Sequence, residues 1–210
     1  MIGRRGFLAG LGVLAASRRW AHAQTSIAPA AALIAAARAQ VGVTLAYDPA
    51  YAQLAFPGGD VPRRRGVCTD VIIRAYRDAF GLDLQLLVNR DMHAAFADYP
   101  RRWGLTQPDA NIDHRRVDNL RVYLNRKGAA QPFDNPVDFR PGDLATLRLP
   151  GNLPHIGIVS DARGEQGLPL LIHNIGQGAR EEAALHLFPL TGRYRWLPGE
   201  GGEQVGLIMP

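Results

Sequence analysis

Apolar residues recur at helical spacing in residues 69–80. Their positions at 72, 75, 76, 79 and 80 share one side of a helix, and the charged residues Arg74, Arg77 and Asp78 lie on the other side. Gly81 follows directly, and glycine is the residue type that most often ends a helix. The pattern therefore predicts an amphipathic helix over 69–80.

The remaining part of the first 140 residues has weaker patterns. An alanine-rich stretch at 30–41 predicts an N-terminal helix. Residues 48–66 contain three prolines and three glycines, which predicts a loop. Residues 82–140 are mixed, with short helical patches at 86–96 and 117–124.

The last third of the chain changes to short strand-like segments. They follow a turn at Pro141-Gly142-Asp143 and occupy 144–149, 156–160 and 170–175, with a weaker segment at 194–197. Turn residues separate them at a spacing that suits an antiparallel meander. Helices followed by a small antiparallel sheet make the predicted fold class α+β.

Residues 1–23 have the features of an export signal. Arg4-Arg5 precedes an apolar run that is too short to span a bilayer, and Ala21-His22-Ala23 gives a small-x-small cleavage pattern. We therefore expect cleavage near Ala23/Gln24, a single periplasmic domain at 24–210, and no membrane span after cleavage. An N-terminal anchor that is never cut is the alternative.

The charge of the chain first suggests a nucleic-acid partner, since the net charge is +5 and the pI is near 9.9. Four of the 24 basic residues and none of the 19 acidic residues lie in 1–23, so a chain that starts at Gln24 has a net charge near +1. Its remaining basic residues form only short clusters such as 63–65. We therefore expect no nucleic-acid partner, and we expect a monomer.

Cys68 is the single cysteine, which excludes a disulfide within the chain. It lies at the start of the predicted helix, where unpaired backbone N–H groups favour a thiolate and are expected to lower the thiol pKa from about 8.5. His155 directly precedes one predicted strand and His173 lies in the next. If these strands pair, one imidazole could act as base to the cysteine while the other orients it. Inert packing of all three residues is the alternative.

Four short motifs occur in an order that resembles a known superfamily. They are Gly-Val-Cys-Thr-Asp-Val at 66–71, Pro-Gly-Asp-Leu at 141–144, His-Ile-Gly-Ile-Val at 155–159 and Ile-His-Asn at 172–174. Together they resemble the NlpC-type cysteine peptidases, papain-like enzymes that cleave bacterial cell-wall peptides. With Asn-Ile-Asp-His-Arg-Arg at 111–116, the chain is more similar to the YijF-like branch, a domain of unknown function. The resemblance extends over 33–196.

The resemblance implies a papain-like fold and a site without metal or cofactor. It implies that Cys68 is the nucleophile, that His155 is the general base, and that His173 orients His155, with Asn174 as the second choice for that role. Backbone N–H groups beside the cysteine would bind the oxyanion. The implied substrates are peptidoglycan stem peptides or muropeptide fragments.

Two segments set this chain apart from the NlpC-type pattern. Thr69 and Asp70 follow the cysteine where that pattern has Ser-Gly, so we expect them to shape the substrate pocket and leave the specificity for γ-glutamyl-diaminopimelate bonds open. The middle segment 82–140 is long for the family. In it, Asp113 and His114 could contact a carboxylate or sugar of the substrate, or belong to a surface salt-bridge cluster. Asp143 reads as a turn residue.

Three other functions remain open from the sequence. A papain-like acyltransferase or thioesterase would use the same three residues on a lipid or thioester. A non-catalytic wall-binding module would keep the fold without turnover. A mononuclear metal site could use Cys68, His155 and His173, since thiolate and imidazole are good zinc ligands.

Overall fold

A computed structural model describes residues 28–198, which form four α-helices and a six-stranded antiparallel sheet. The helices are α1 (Pro29–Arg38), α2 (Cys68–Phe80), α3 (Leu84–Ala95) and α4 (Val117–Arg126). The strands are β1 (Ala46–Tyr47), β2 (Arg65–Gly66), β3 (Ala130–Gln131), β4 (Leu144–Leu149), β5 (Leu153–Arg163), β6 (Pro169–Asn174), β7 (Ala179–Glu182) and β8 (Leu190–Tyr194). The α+β class predicted from the sequence is confirmed.

The sheet has the strand order β3-β8-β4-β5-β6-β7, and β1 and β2 form a separate parallel pair. Strands β4, β5 and β6 form the predicted antiparallel meander. The weak segment predicted at 194–197 is wrong in its bounds, because β8 ends at Tyr194 and returns to pair with β4. Strand β7 was not predicted, because its polar sequence Ala-Arg-Glu-Glu lacks apolar alternation.

The sheet separates two apolar clusters. Leu144, Ile156, Ile158 and Ile172 pack with the helices in the larger cluster. Their strand neighbours, such as Leu147 and Val159, pack in a smaller cluster with Phe139 and Leu171. This alternation follows from the two-residue period of a strand, which sends successive side chains to opposite faces. The middle segment belongs to the larger cluster through α3 and α4.

Helix α2 is the central helix and carries Cys68 as its first residue. It contacts α1, β5 and β6, and its residues from Cys68 to Tyr76 are all buried. Gly81 ends it in the left-handed conformation, with φ of 68°, and its N–H donates to the carbonyl of Arg77. The predicted helix end is therefore confirmed.

The expectation that Arg74 lies on a solvent-exposed polar face of α2 is wrong. Its side chain is fully buried and not solvated. Its guanidinium pairs with the Asp60 carboxylate at 2.9 Å and donates to the carbonyls of Val61 and Arg65, each at 3.0 Å. The long loop before α2 covers this side of the helix, so an arginine that looks exposed by periodicity instead holds that loop in place.

The predicted export signal at 1–23 lies outside the described residues. Within 28–198, no helix combines the length and the apolar character that a membrane crossing requires. The loop predicted at 48–66 is confirmed apart from β2 at its end. The patches predicted at 86–96 and 117–124 correspond to α3 and α4.

We predict that Arg74→Met lowers the free energy of unfolding by about 3 kcal/mol, because it removes the nearest ion-pair partner of the Asp60 carboxylate, leaving Arg77 at 3.6 Å, and the donor of two carbonyls. Guanidinium-induced unfolding measures the change. Arg64→Met is the matched control, because Arg64 is exposed, and its effect should stay within about 0.5 kcal/mol. Equal losses in the two variants would contradict the anchoring role of Arg74.

Candidate active site

Cys68 and His155 line one cavity of about 470 Å³, within the range of small-ligand sites. The wall on one side comes from the loop before α2 and from the strand region around β5. The wall on the other side comes from the middle segment. The lining residues are Tyr47, Pro49, Val67, Cys68, Arg102, Trp103, Ile112, Arg115, Arg116, Val117, Leu149, Leu153, Pro154, His155 and Ile175.

A buried ion pair holds the first turn of α2. Asp70 accepts from the backbone N–H of Val67 at 2.6 Å, and its two carboxylate oxygens accept from Arg115 Nε at 2.9 Å and Nη2 at 3.0 Å. The Thr69 hydroxyl donates to the Arg115 carbonyl at 2.8 Å. Neither Thr69 nor Asp70 lines the cavity. Their predicted contact with substrate is therefore replaced by a structural role that positions Cys68.

The two histidines contact each other, as pairing of their strands predicts. His155 Nε2 and His173 Nδ1 are 2.8 Å apart, and both side chains are buried. Strands β5 and β6 pair antiparallel, and Gly157 lies where a Cβ would come within 3.0 Å of the His173 Cβ. A glycine at this position therefore allows the close approach of the two strands. The contact leaves Nδ1 of His155 available to take a proton.

Glu182 on β7 is a member of the site that the sequence analysis missed. Its carboxylate Oε1 lies 3.2 Å from His173 Nε2, off the line of a good hydrogen bond, so the attraction is mainly electrostatic. A carboxylate at this position favours a proton on Nε2, which makes His173 Nδ1 an acceptor for the N–H of His155. No motif in the sequence marks Glu182, because the pairing of β6 with β7 alone places it beside His173.

The expectation that Cys68 is a thiolate is wrong, because its pKa is raised and not lowered. Burial raises the pKa of Cys68 to about 12, and the charge of Asp70 adds to this rise. The backbone N–H groups of Ile156, Thr69 and Cys68 itself lower the pKa, but by less than burial raises it. The N–H groups at the helix start therefore do lower the thiol pKa, as predicted, but burial raises it by more. The contribution of Ile156 also places the sulfur beside the residue that follows His155.

His155 is also neutral at rest. Burial lowers the pKa of His155 to about 3, and the neighbouring His173 lowers it further. Burial lowers the pKa of His173 as well, against the opposing charge of Glu182. The resting site therefore has a thiol and a neutral imidazole that line one cavity, and the neutral Nδ1 of His155 can act as a base.

Asn174 does not orient His155, which corrects the second choice made from the sequence. Its side-chain N–H donates to the carbonyl of Gly66 at 2.9 Å, and its Oδ1 accepts from the N–H of Gly176 at 3.2 Å. Asn174 thus ties the end of β6 to the strand that leads into Cys68. Its role is to hold two parts of the site together.

Asp113 and His114 lie behind the cavity wall and do not line it. The Asp113 carboxylate accepts from the N–H of Asp109 at 2.6 Å and from Arg116 at 2.8 Å. His114 is buried, and burial lowers its pKa to about 3. Of the alternative, a surface salt-bridge cluster, the ion pair between Asp113 and Arg116 is present, but the surface position is wrong because Asp113 and His114 are both buried. Their neighbours Ile112, Arg115 and Arg116 do line the cavity.

Asp143 is a turn residue, as predicted. It is fully buried, and its Oδ2 accepts from the N–H of Arg140 at 2.9 Å across the turn. It also pairs with Arg193 at 2.7 Å and Arg195 at 2.9 Å. These contacts join the turn to β8 and the segment after it.

Tyr47 brings a hydroxyl group to the cavity. Burial raises the pKa of Tyr47 to about 12, and the charges of Cys68 and Asp70 add to the rise. The phenol is therefore protonated at physiological pH and can donate a hydrogen bond. Tyr47 was not predicted as a site residue, because no sequence pattern relates this part of the chain to Cys68.

The geometry does not suit the metal alternative. Among residues 28–198, no group of three or more His, Cys, Asp or Glu residues is arranged to hold a metal ion. The 2.8 Å contact between His155 and His173 also occupies one ring nitrogen of each.

Comparison with known proteins agrees with the motif analysis at the family level. Residues 34–196 match the family described as "Domain of unknown function (DUF1287)". The chain is 53% identical over 161 residues to the Escherichia coli (strain K12) protein described as "Uncharacterized protein YijF", with 76% of this chain and 78% of that protein covered. A solved structure of NlpC1 from Trichomonas vaginalis is similar at 16% identity and a TM-score of 0.43, over 80% of this chain and 43% of that chain. This chain thus spans less than half of that solved chain.

The raised thiol pKa predicts slow alkylation of Cys68. Little thiolate exists at pH 7, so we expect iodoacetamide to react at least about tenfold more slowly with the folded protein than with the urea-unfolded chain. The rate for the folded protein should keep rising above pH 8.5 without a plateau. Because Cys68 is the single cysteine, mass spectrometry reads its modification directly. A plateau reached below pH 8 would indicate a thiolate–imidazolium pair instead.

The position of Glu182 predicts the tautomer of His173. We expect ¹⁵N NMR to show the His173 proton on Nε2, with Nδ1 unprotonated, and Glu182→Gln to lower the population of this tautomer because it removes the carboxylate charge. Glu165→Gln is the control, because Glu165 is exposed and lies on the loop between β5 and β6. A His173 proton on Nδ1 in the unsubstituted protein would contradict the assignment.

Proposed function

The chain belongs to the DUF1287 family, and we propose that it is a cysteine hydrolase that cleaves amide bonds in peptidoglycan stem peptides or their fragments. The observation that carries the proposal is the order of side chains at the cavity. The Cys68 sulfur lies beside the backbone of Ile156, and the preceding His155 shares the cavity with it. A second histidine and a carboxylate continue the line behind His155. This order is the one that nucleophilic catalysis requires.

The first step is attack by Cys68 on the amide carbonyl carbon. His155 Nδ1 takes the thiol proton as the sulfur–carbon bond forms, because burial keeps the resting thiol protonated. Its Nε2–H meanwhile donates to His173 Nδ1, which holds the imidazole in the basic tautomer. The Glu182 carboxylate stabilises the positive charge that the two imidazoles then share.

The carbonyl oxygen becomes negatively charged in this step and needs donors. The backbone N–H of Cys68 lies at the start of α2, where N–H groups have no partner within the helix. The protonated Tyr47 hydroxyl is a second donor at the cavity.

The second step releases the amine and regenerates the thiol. The His155 imidazolium gives its proton to the amide nitrogen, the carbon–nitrogen bond breaks, and an acyl-thioester remains on Cys68. Water then attacks the thioester as His155 takes one of its protons. The carbon–sulfur bond breaks, the acyl group leaves as a carboxylic acid, and the sulfur receives the proton.

The substrate class is supported by the order of the motifs and by the predicted export signal. A periplasmic enzyme meets peptidoglycan peptides and muropeptide fragments, and a cavity of about 470 Å³ suits a short peptide. An acyltransferase or thioesterase would pass through the same thioester and differ only in the acceptor or the donor. Hydrolysis is proposed because it needs no second substrate besides water.

We predict that Cys68→Ala abolishes cleavage of muropeptides, because the covalent intermediate cannot form, and that His155→Ala does nearly the same. His173→Ala should retain part of the activity, because His155 keeps its base nitrogen. Mass spectrometry of digested muropeptides gives the rates, and thermal unfolding should show little change for Cys68→Ala.

His93→Ala is the matched control for the histidine variants, since His93 is exposed on α3. It should cleave at the rate of the unsubstituted protein. A Cys68→Ala protein that cleaves at the unsubstituted rate would exclude the proposed mechanism.

A further inference from the structure

Two arginines and a tryptophan form one wall of the cavity in the middle segment. The guanidinium carbon of Arg116 lies 4.1 Å from the centre of the Trp103 ring, and that of Arg102 lies 4.5 Å from it. All three residues line the cavity that contains Cys68. Cation–π contact of this kind fixes the planes of both guanidinium groups. We refer to these three residues as the arginine wall.

Carboxylates hold the arginine wall from behind. Asp113 Oδ1 accepts from Arg116 Nη1 at 2.8 Å, and Asp118 Oδ2 pairs with Arg102 Nη2 at 2.6 Å. Neither aspartate lines the cavity. The pairs therefore orient the arginines while leaving other N–H donors of each fork for a ligand.

Arg116 has guanidinium N–H groups that make no hydrogen bond to the described part of the protein. Within residues 28–198, its Nη1 is the nitrogen that makes a protein hydrogen bond, so Nε and Nη2 remain for a ligand. Arg115 differs, because its Nε and Nη2 are both used by Asp70 and its side chain is 2% exposed. The Arg116 side chain is 17% exposed, which leaves it reachable from the cavity.

The charge of the lining fits an anion. Three arginines line the cavity, and no aspartate or glutamate does. Burial lowers the pKa of Arg116, the charges of Asp113 and Asp109 offset this only in part, and the charge of Arg102 lowers the pKa further. A planar carboxylate suits the two remaining N–H groups of a guanidinium in bidentate geometry.

On the basis of the proposed function, we propose that the arginine wall binds a free carboxylate of the substrate. The substrate class is then a peptide that carries such a carboxylate close to the amide bond that Cys68 attacks. A glutamate next to that amide bond is one example, because its side-chain carboxylate stays free. Arg116 provides the bidentate contact, and Arg102 adds charge at the more exposed edge.

A matched pair of peptides tests the proposal. One peptide has a glutamate with a free side-chain carboxylate next to the scissile amide, and the other has glutamine, a carboxamide, at the same position. The unsubstituted protein should have a kcat/KM about 10- to 100-fold higher for the carboxylate peptide, as for the loss of one charged hydrogen-bonded contact. Arg116→Gln should reduce this ratio to near one by lowering kcat/KM for the carboxylate peptide.

The control is Arg101→Gln, which makes the same charge change at an exposed neighbour outside the cavity lining. It should keep the ratio of the unsubstituted protein. Arg116→Gln could fail to fold because Asp113 loses its partner. In that case Arg102→Gln tests the proposal, since the Arg102 side chain is 51% exposed and its replacement should not affect folding. It should lower the ratio at least threefold, and an unchanged ratio would overturn the proposal.

Calorimetric binding of both peptides to the Cys68→Ala protein separates this proposal from the proposed function. Preferred binding of the carboxylate peptide, lost in the double variant with Arg116→Gln, supports the arginine wall even if neither peptide is cleaved. Cleavage of both peptides at equal rates would keep the hydrolase and overturn the carboxylate site. Equal binding of the two peptides would likewise overturn it.

Discussion

The buried ion pair between Asp70 and Arg115 joins the two halves of the candidate site. It links the first turn of α2, which carries Cys68, to the middle segment, which carries the arginine wall. Both side chains are almost completely buried, so removal of either would leave an uncompensated charge at a cost of about 3–5 kcal/mol. The pair thus links Cys68 to the middle-segment side of the cavity. It also explains why Thr-Asp follows the cysteine in this chain.

Burial of the site determines how the thiol can react. The same packing that positions Cys68 and His155 removes water from both, so the neutral forms are favoured. In the proposed mechanism, proton transfer therefore accompanies attack on the substrate. The line from His155 through His173 to Glu182 suits this requirement, because each member stabilises the charge that the previous one acquires. Burial thus connects the architecture to the proposed chemistry.

The parts of the fold that were predicted correctly depend on local patterns. Helix α2 and its end at Gly81 follow from spacing, and strands β4 to β6 follow from short apolar segments between turns. The parts that were missed depend on distant partners. Arg74 lies on the polar side of its helix but faces the preceding loop, and β7 is polar because it is an edge strand. Periodicity reports amphipathic faces and does not identify what covers them.

The sequence by itself determined the fold class, the family and the positions of Cys68, His155 and His173 on elements that could bring them together. Only the tertiary structure decided that Asn174, Asp113 and His114 are structural, and that Glu182 and Arg116 reach the site. The physical reason is that charge compensation and loss of water arise between residues far apart in the chain. The start of a helix favours a thiolate locally, but burial by the surrounding residues raises the pKa of Cys68 and favours the thiol.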